Sequence, residues 1–316
     1  MTAELRPLQP PQSATEAVEQ ALMGRKRDWR SVVFEVALLT SLLIALGVLV
    51  WLITDIFVRA LPVFQERGLT DFLGGPMSSN PNRAGIGQAL WGSIVLMIFV
   101  AILAIPIGIA AAIYLEEYAP DNRLTRLINT TVRNLAGVPA VVYGLLGIAV
   151  FVVLLRDWTG GQSIISGGFT LAIVVLPIVI ITSAESLRAV PSAIREAGYG
   201  VGATKWEVIR SHVLPYALPG VLTGTILTIG RAFGETAPLL LVGAVTGGFA
   251  VAANATLVER LQGPYTSLPT LIYSWARQPR AEFRELTAAA IIVLLVMVLL
   301  INAIAIILRN RYARKW

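Results

Sequence analysis

Residues 195–220 read REAGYGVGATKWEVIRSHVLPYALPG. The stretch lies between two apolar runs, 169–184 and 216–243, yet it is polar, of mixed charge and punctuated by Gly198, Gly200 and Gly202. Glycines let a chain reverse where side chains would clash. Thr204 and Glu207 then stand at capping-box spacing, the threonine oxygen closing a first helical turn and the glutamate reaching back. The pattern predicts a short helix of about two turns that ends before Pro215. Trp206, Val208 and Ile209 are its apolar residues, and Lys205, Glu207 and Arg210 its polar ones. A stiff amphipathic elbow between two membrane spans has this pattern. So does an ordinary helix lying among lipid headgroups.

Working outward, the whole chain fits such a setting. Its 316 residues are 56% hydrophobic and 14% charged, with a mean hydropathy of +0.72. A soluble protein of this size needs more charged surface, so the composition is that of a membrane protein. Uncharged runs at 36–53, 90–115, 134–155 and 286–308 approach or exceed the roughly 20 residues that span a bilayer. With 169–184 and 216–243 they make six spans and an all-α, polytopic fold.

Lysines and arginines are about twice as frequent in the segments on the N-terminal side of the membrane as on the other, which places both termini in the cytoplasm. That distribution accounts for the high isoelectric point and leaves nucleic-acid binding without support. The expected order is a disordered tail over 1–28, a first transmembrane helix over 29–58 and an external loop over 59–87. A core over 88–309 follows, with an inner loop at 195–215 and an outer loop at 244–284; 310–316 is a second cytoplasmic tail. Tyr265, Tyr273 and Trp275 in the outer loop fit an interfacial aromatic belt. Glu35 and Glu185 sit near inner helix ends, within reach of water.

Several functions are excluded by what is missing. There is no cysteine and a single histidine, His212, so neither thiolate chemistry nor a His/Cys metal site is available. No GxxxxGK[ST] motif occurs, so the chain has no P-loop for nucleotide hydrolysis. A nucleophile paired with a base at membrane depth is also absent. The reading is a transport protein rather than an enzyme, with no cofactor.

Returning to the elbow, Glu196-Ala197-Gly198, then Gly202, then Leu214-Pro215 resembles the EAA loop of ABC importer permeases. Gly198 replaces the usual second alanine and His212 the usual isoleucine. In that family the loop docks on a separate ATPase subunit, which implies coupling roles for Glu196, Ala197, Gly202, Trp206, Leu214 and Pro215. The fold implied is that of type I (MetI-like) importer permeases. The resemblance runs over about 70–305. GGPMSSNPNRAGIGQALWGS (74–93), NLAGVPAVVYGLLG (134–147), SLRAVP (186–191), GRAFGETAPLLLVGA (230–244) and TSLPTLIYSWA (266–276) are similar to the PstA-type permeases of phosphate-specific ABC importers. What this implies is a complex in the inner membrane: this chain, a PstC-like second permease, two PstB-like ATPase subunits and an external PstS-like phosphate-binding protein.

The residues also suggest a substrate class on physical grounds. Arg231 and Glu235 interrupt the apolar run 216–243. Counted from Tyr216, Arg231 lies about 22 Å along a helix, on the outer half. A charge at such depth costs at least ~2.5 kcal/mol and should face a cavity or a partner. Gly224, Thr228, Arg231, Glu235 and Pro238 recur at helical spacing, which predicts that they lie on one face as a single polar stripe. A guanidinium matches phosphate oxygens with two parallel hydrogen bonds. Glu235 would hold Arg231 while the path is empty. Arg231, Glu235, Thr228 and, in the third span, Asn134 are therefore the candidate pathway residues. The plainer alternative is a charge pair neutralised at a helix contact; Asn134 and Tyr143 could likewise be interhelical hydrogen bonds. One arginine does not separate phosphate from sulfate or molybdate. A self-standing anion channel or secondary transporter would also use Arg231, but would not need the elbow.

Overall fold

The computed structural model describes residues 29–245 and 256–312. The expected tail 1–28, much of the expected C-terminal tail and part of the outer loop lie outside the described residues. The chain falls into two units, Met1–Asp55 and Ile56–Trp316. In the first, helix α1 (Trp29–Arg67) begins; its residues 29–55 are exposed along nearly their whole length. The same helix runs into the second unit, past the boundary at 58 expected from sequence, and buries Ala60 and Val63 there.

In the second unit the chain continues through α2 (Leu69–Gly74) to α3 (Gly87–Ile113), which ends in a wide π turn over Tyr114–Tyr118. Next come α4 (Arg123–Ala136), α5 (Ala140–Gly147) with its π extension Ile148–Leu154, the single turn α6 (Arg156–Thr159) and α7 (Ile164–Arg188). The elbow is α8 (Ser192–Gly200) and α9 (Lys205–Val208), followed by a π turn over Ile209–Val213 and α10 (Leu214–Gly234). The remainder is α11 (Ala237–Leu241), α12 (Leu257–Gln262), α13 (Leu268–Ala276) and α14 (Glu282–Tyr312).

Helix α7 is the centre, buried along most of its length between α3 and α10. In lipid, helices are not driven together by the hydrophobic effect, so close backbone approach must do the work. A Cβ at Gly108 would lie 2.6 Å from a Val179 methyl, and one at Gly168 would strike the Phe99 ring. The small residues therefore let α3 and α7 interlock around Leu96, Val100, Ala104, Leu171 and Val175. Among the described residues five helices are long and apolar enough to cross a membrane, and a sixth span arises only if a bent pair is counted as one.

That pair corrects the expected third span. Residues 134–155 are not one helix: α4 and the segment Ala140–Leu154 meet at 100°. Pro139 is the cause, since it drives the preceding residue out of helical geometry and has no N–H to donate. The second arm alone covers only about 22 Å. The Tyr143 hydroxyl donates to the Leu135 carbonyl at 2.8 Å and ties the two arms across the bend.

Two further expectations fail on the helix ends. The elbow helix does not stop before Pro215. The Leu214 N–H donates to the Ile209 carbonyl five residues back, and the helix continues through this wide turn into α10. The extra residue in that turn relieves the contact Pro215 would otherwise make with the preceding carbonyls. At the other end α10 terminates at Gly234 rather than passing through Pro238, which instead opens α11. A proline crowds the carbonyl four residues before it, here that of Gly234. The aromatic belt is corrected too: Tyr265 and Trp275 are buried, and Tyr273 alone of the three is exposed.

Candidate functional site

Two places carry the charged residues singled out in the sequence, and they occupy opposite ends of the continuous helical path Lys205–Gly234. The elbow is built first by its turn. Gly202 adopts φ +84°, a left-handed conformation that residues with side chains adopt at a cost, and open space surrounds the position. Thr204 then caps α9: its hydroxyl accepts from the Glu207 N–H, and the Glu207 carboxylate accepts from the Thr204 N–H at 2.7 Å. The predicted capping box is thus present.

Gly198, where related loops have alanine, is buried, and a Cβ there would lie 2.6 Å from a Val208 methyl. The glycine lets α8 and α9 close on each other. Val208, Ile209 and Val213 turn inward, and Val208 and Val213 join Ala112, Ala184, Leu187, Val190 and Ala217 in a small core. Trp206 parts from the apolar set to which the sequence assigned it and is 52% exposed. Glu196, Ala197, Val201, Gly202 and Trp206 form an accessible ridge, while Leu214 and Pro215 are half-buried at its base. An apolar hollow lined by Ile194, Ala197, Val201, His212 and Tyr216 opens beside it, with a volume of about 400 Å³.

Glu116 and Glu117, which the sequence reading passed over, brace the corner between α7 and the elbow, and Glu117 ties the elbow itself to the bundle. Glu117, with 5% of its side chain exposed, accepts from Arg195 Nη2 at 2.7 Å and from Nε at 3.1 Å. Arg195 also donates to the carbonyls of Val190 and Leu187, at 2.8 and 2.9 Å. Glu116 pairs with Arg188, the last residue of α7, with Nε at 3.1 Å from Oε2. Lys205 places its ammonium over the Tyr118 ring, 5.1 Å from the centroid. A carboxylate so enclosed is costly unless paired, and deleting one partner of such a pair costs about 3 kcal/mol. The signal available beforehand was an acidic doublet ending one apolar run, with arginines flanking the turn after another.

At the far end Arg231 lies in the last turn of α10, where exposed carbonyls favour a cation. Its Nε is 3.5 Å from Glu235 Oε1, with 61% of the arginine and 19% of the glutamate side chain exposed. Because α10 ends at Gly234, Glu235 approaches from extended chain and not from the same helical face. Tyr216, Gly220, Leu227, Arg231 and Gly234 recur at helical spacing and form one exposed stripe along α10. Thr228 is off this stripe: it is buried, and its hydroxyl donates to the Gly224 carbonyl at 2.8 Å. Asn134 is exposed in the last turn of α4 and is not brought together with Arg231. The structure thus groups Arg231 with Glu235 and separates Thr228 and Asn134 from them.

Four of the stretches that carried the resemblance, 74–93, 134–147, 230–244 and 266–276, pack against one another toward this end. A Cβ at Gly144 would come within 2.6 Å of Leu241, and one at Gly147 would collide with Thr170, so the YGLLG segment packs directly against both α11 and α7. The Leu268 N–H donates to Ser93 at 2.8 Å, and Gly92 abuts the Thr266 carbonyl, joining the segments at 74–93 and 266–276. Residues distant in sequence therefore form one packed unit.

Comparison with known proteins gives a consistent result. Residues 104–316 match the model of the binding-protein-dependent transport system inner membrane component family. The chain is 34% identical to the phosphate transport system permease protein PstA of Yersinia pestis, over 89% of this chain and 91% of that one. It is 33% identical to PstA 1 of Mycobacterium tuberculosis (strain CDC 1551 / Oshkosh), over 95% and 97% respectively. Among solved structures it superposes on a chain of a bacterial alginate ABC transporter with a TM-score of 0.64 at 15% identity, covering 92% of this chain and 99% of that one. For the MetNI methionine ABC transporter the TM-score is 0.56 at 18% identity, covering 72% and 96%. These two establish the fold, a type I importer permease bundle. An elbow with an exposed ridge on such a bundle, matched along nearly its full length, places the chain in the binding-protein-dependent inner membrane permeases, in the family of the PstA proteins.

Proposed function

We propose that this multi-pass membrane protein is a permease subunit of an ABC importer that carries inorganic phosphate across the cytoplasmic membrane. The observation that carries the reading is the elbow: an accessible ridge, fixed to its bundle by the Glu117–Arg195 ion pair, on a chain of PstA ancestry. Such a ridge has no use in a channel that works alone. It offers a docking surface for an ATPase subunit, with Glu196, Ala197, Gly202 and Trp206 as its contacts and Leu214 and Pro215 leading into α10. The working complex comprises a PstC-like second permease, two PstB-like ATPases and a PstS-like binding protein. The excess of basic residues orients the elbow and both termini to the cytoplasm.

On this reading the exposed stripe of α10 faces the second permease and the path between them. Arg231 meets the anion there, through the two-pronged bonding a guanidinium offers to phosphate oxygens. Glu235, 3.5 Å away and on a separate segment, competes with the anion and keeps binding weak enough for release. Thr228 and Asn134 are second-rank candidates for the pathway, since one is buried and the other stands on a different arm.

The test is reconstitution of the chain with its partners in liposomes. ATP hydrolysis stimulated by phosphate-loaded binding protein, with phosphate uptake, is the expected result. Stimulation by sulfate or molybdate instead would reassign the substrate. A chain that purifies alone and still conducts anions would sink the importer reading.

A further inference from the structure

We infer that Glu117 is a positioning residue for energy coupling: through Arg195 it makes helix α3 move with the elbow. This rests on the importer reading above. The geometry separates the pair from an ordinary surface contact. Glu116 and Glu117 are neighbours in a π turn, so their side chains diverge and reach both arms of the corner where α7 gives way to α8. Arg188 belongs to one arm and Arg195 to the other.

Arg195 spends its donors on three elements at once. It reaches Glu117 at the end of α3, the Leu187 carbonyl in the last turn of α7 and the Val190 carbonyl in the corner. Its neighbour in sequence, Glu196, stands on the exposed ridge. A push on the ridge therefore reaches a guanidinium whose strongest partner lies on another helix. Helix α3 also meets the elbow core through Ala112, with Ile109 and Ile113 packed against it, and Lys205 lies over Tyr118; to these contacts the ion pair adds directed, charge-assisted hydrogen bonds. Arg188, with 53% of its side chain exposed, is the weaker rung.

The experiment measures phosphate imported per ATP hydrolysed, together with the thermal melt, in the full complex in liposomes. Glu117→Gln is expected to lower that ratio about tenfold. The double variant Glu117→Gln/Arg195→Gln should be no worse than the more affected single variant, because both remove one connection. Should Glu117→Gln fail to assemble, Arg195→Lys is read instead; it keeps the charge, loses the fork and should lower the ratio about threefold. The chain contains no cysteine, so Glu117→Cys with Arg195→Cys introduces the only pair of thiols in this subunit. Joining them with a short bifunctional reagent should restore the ratio. A wild-type ratio in Glu117→Gln, even with a lowered melt, would reduce the pair to a fold contact and overturn the inference. So would a ratio that stays low after cross-linking. A wild-type complex that hydrolyses ATP without importing phosphate would overturn the importer reading itself.

Discussion

Two of the arginine–glutamate pairs among the described residues, Arg195–Glu117 and Arg231–Glu235, differ in almost every physical respect. Arg195 and Glu117 come from segments far apart in sequence, approach to 2.7 Å and are mostly enclosed. Arg231 and Glu235 are four residues apart, meet at 3.5 Å and leave the guanidinium largely exposed. The first arginine has its donors occupied by a carboxylate and two carbonyls. The second is held at the outer limit of a hydrogen bond and can turn to another ligand. Enclosure and several engaged donors make a fixture. Exposure and a loose partner leave a charge available for a passing anion.

The sharpest way to break this contrast is at Arg231. Arg231→Gln should reduce phosphate uptake about a hundredfold or more with little change in melting temperature, and Arg231→Lys should be impaired as well, since it keeps charge without the fork. Uptake at wild-type level in either would remove Arg231 from the path. At the elbow the expected effects are on stability. Gly198→Leu must displace Val208 from a closed contact and should cost about 1–3 kcal/mol, read as a lower melt of the purified chain. An unchanged melt would mean that α8 and α9 separate freely. Thr204→Ala removes the cap of α9 and should cost about 1 kcal/mol. Smallest of all, Glu235→Gln should change stability by less than about 0.5 kcal/mol, as expected of a long contact whose arginine is largely solvated. A larger loss would make this pair a fixture like the other.

These differences were unequally visible in the sequence. Local chemistry was legible: the Gly202 turn, the Thr204–Glu207 cap and the apolar runs depend on neighbours within a few residues. The interruption of an apolar run by Arg231 was visible for the same reason. The bend at Pro139 was not, because a proline in an uncharged run predicts either a mild kink or a corner, and packing decides which. The end of α10 at Gly234 was misread because a proline four residues on can break a helix or merely bend it. Glu117 was invisible for a deeper reason. Its partner lies 78 residues away, and no periodicity records that distance. Trp206 was grouped with Val208 and Ile209 by its apolar character, yet it is exposed where they are buried, and only packing separates the three.

The π turn at Ile209–Val213 has a mechanical consequence. Because the helical path from Lys205 to Gly234 is unbroken, the ridge residue Trp206 and the cation Arg231 ride on one rod. About 39 Å of helix separates Lys205 from Arg231, so a tilt of roughly 5° pivoting at the elbow carries the guanidinium through about 3 Å. That displacement is about the length of one hydrogen bond, so a movement of the ridge reaches the cation without any intermediate relay.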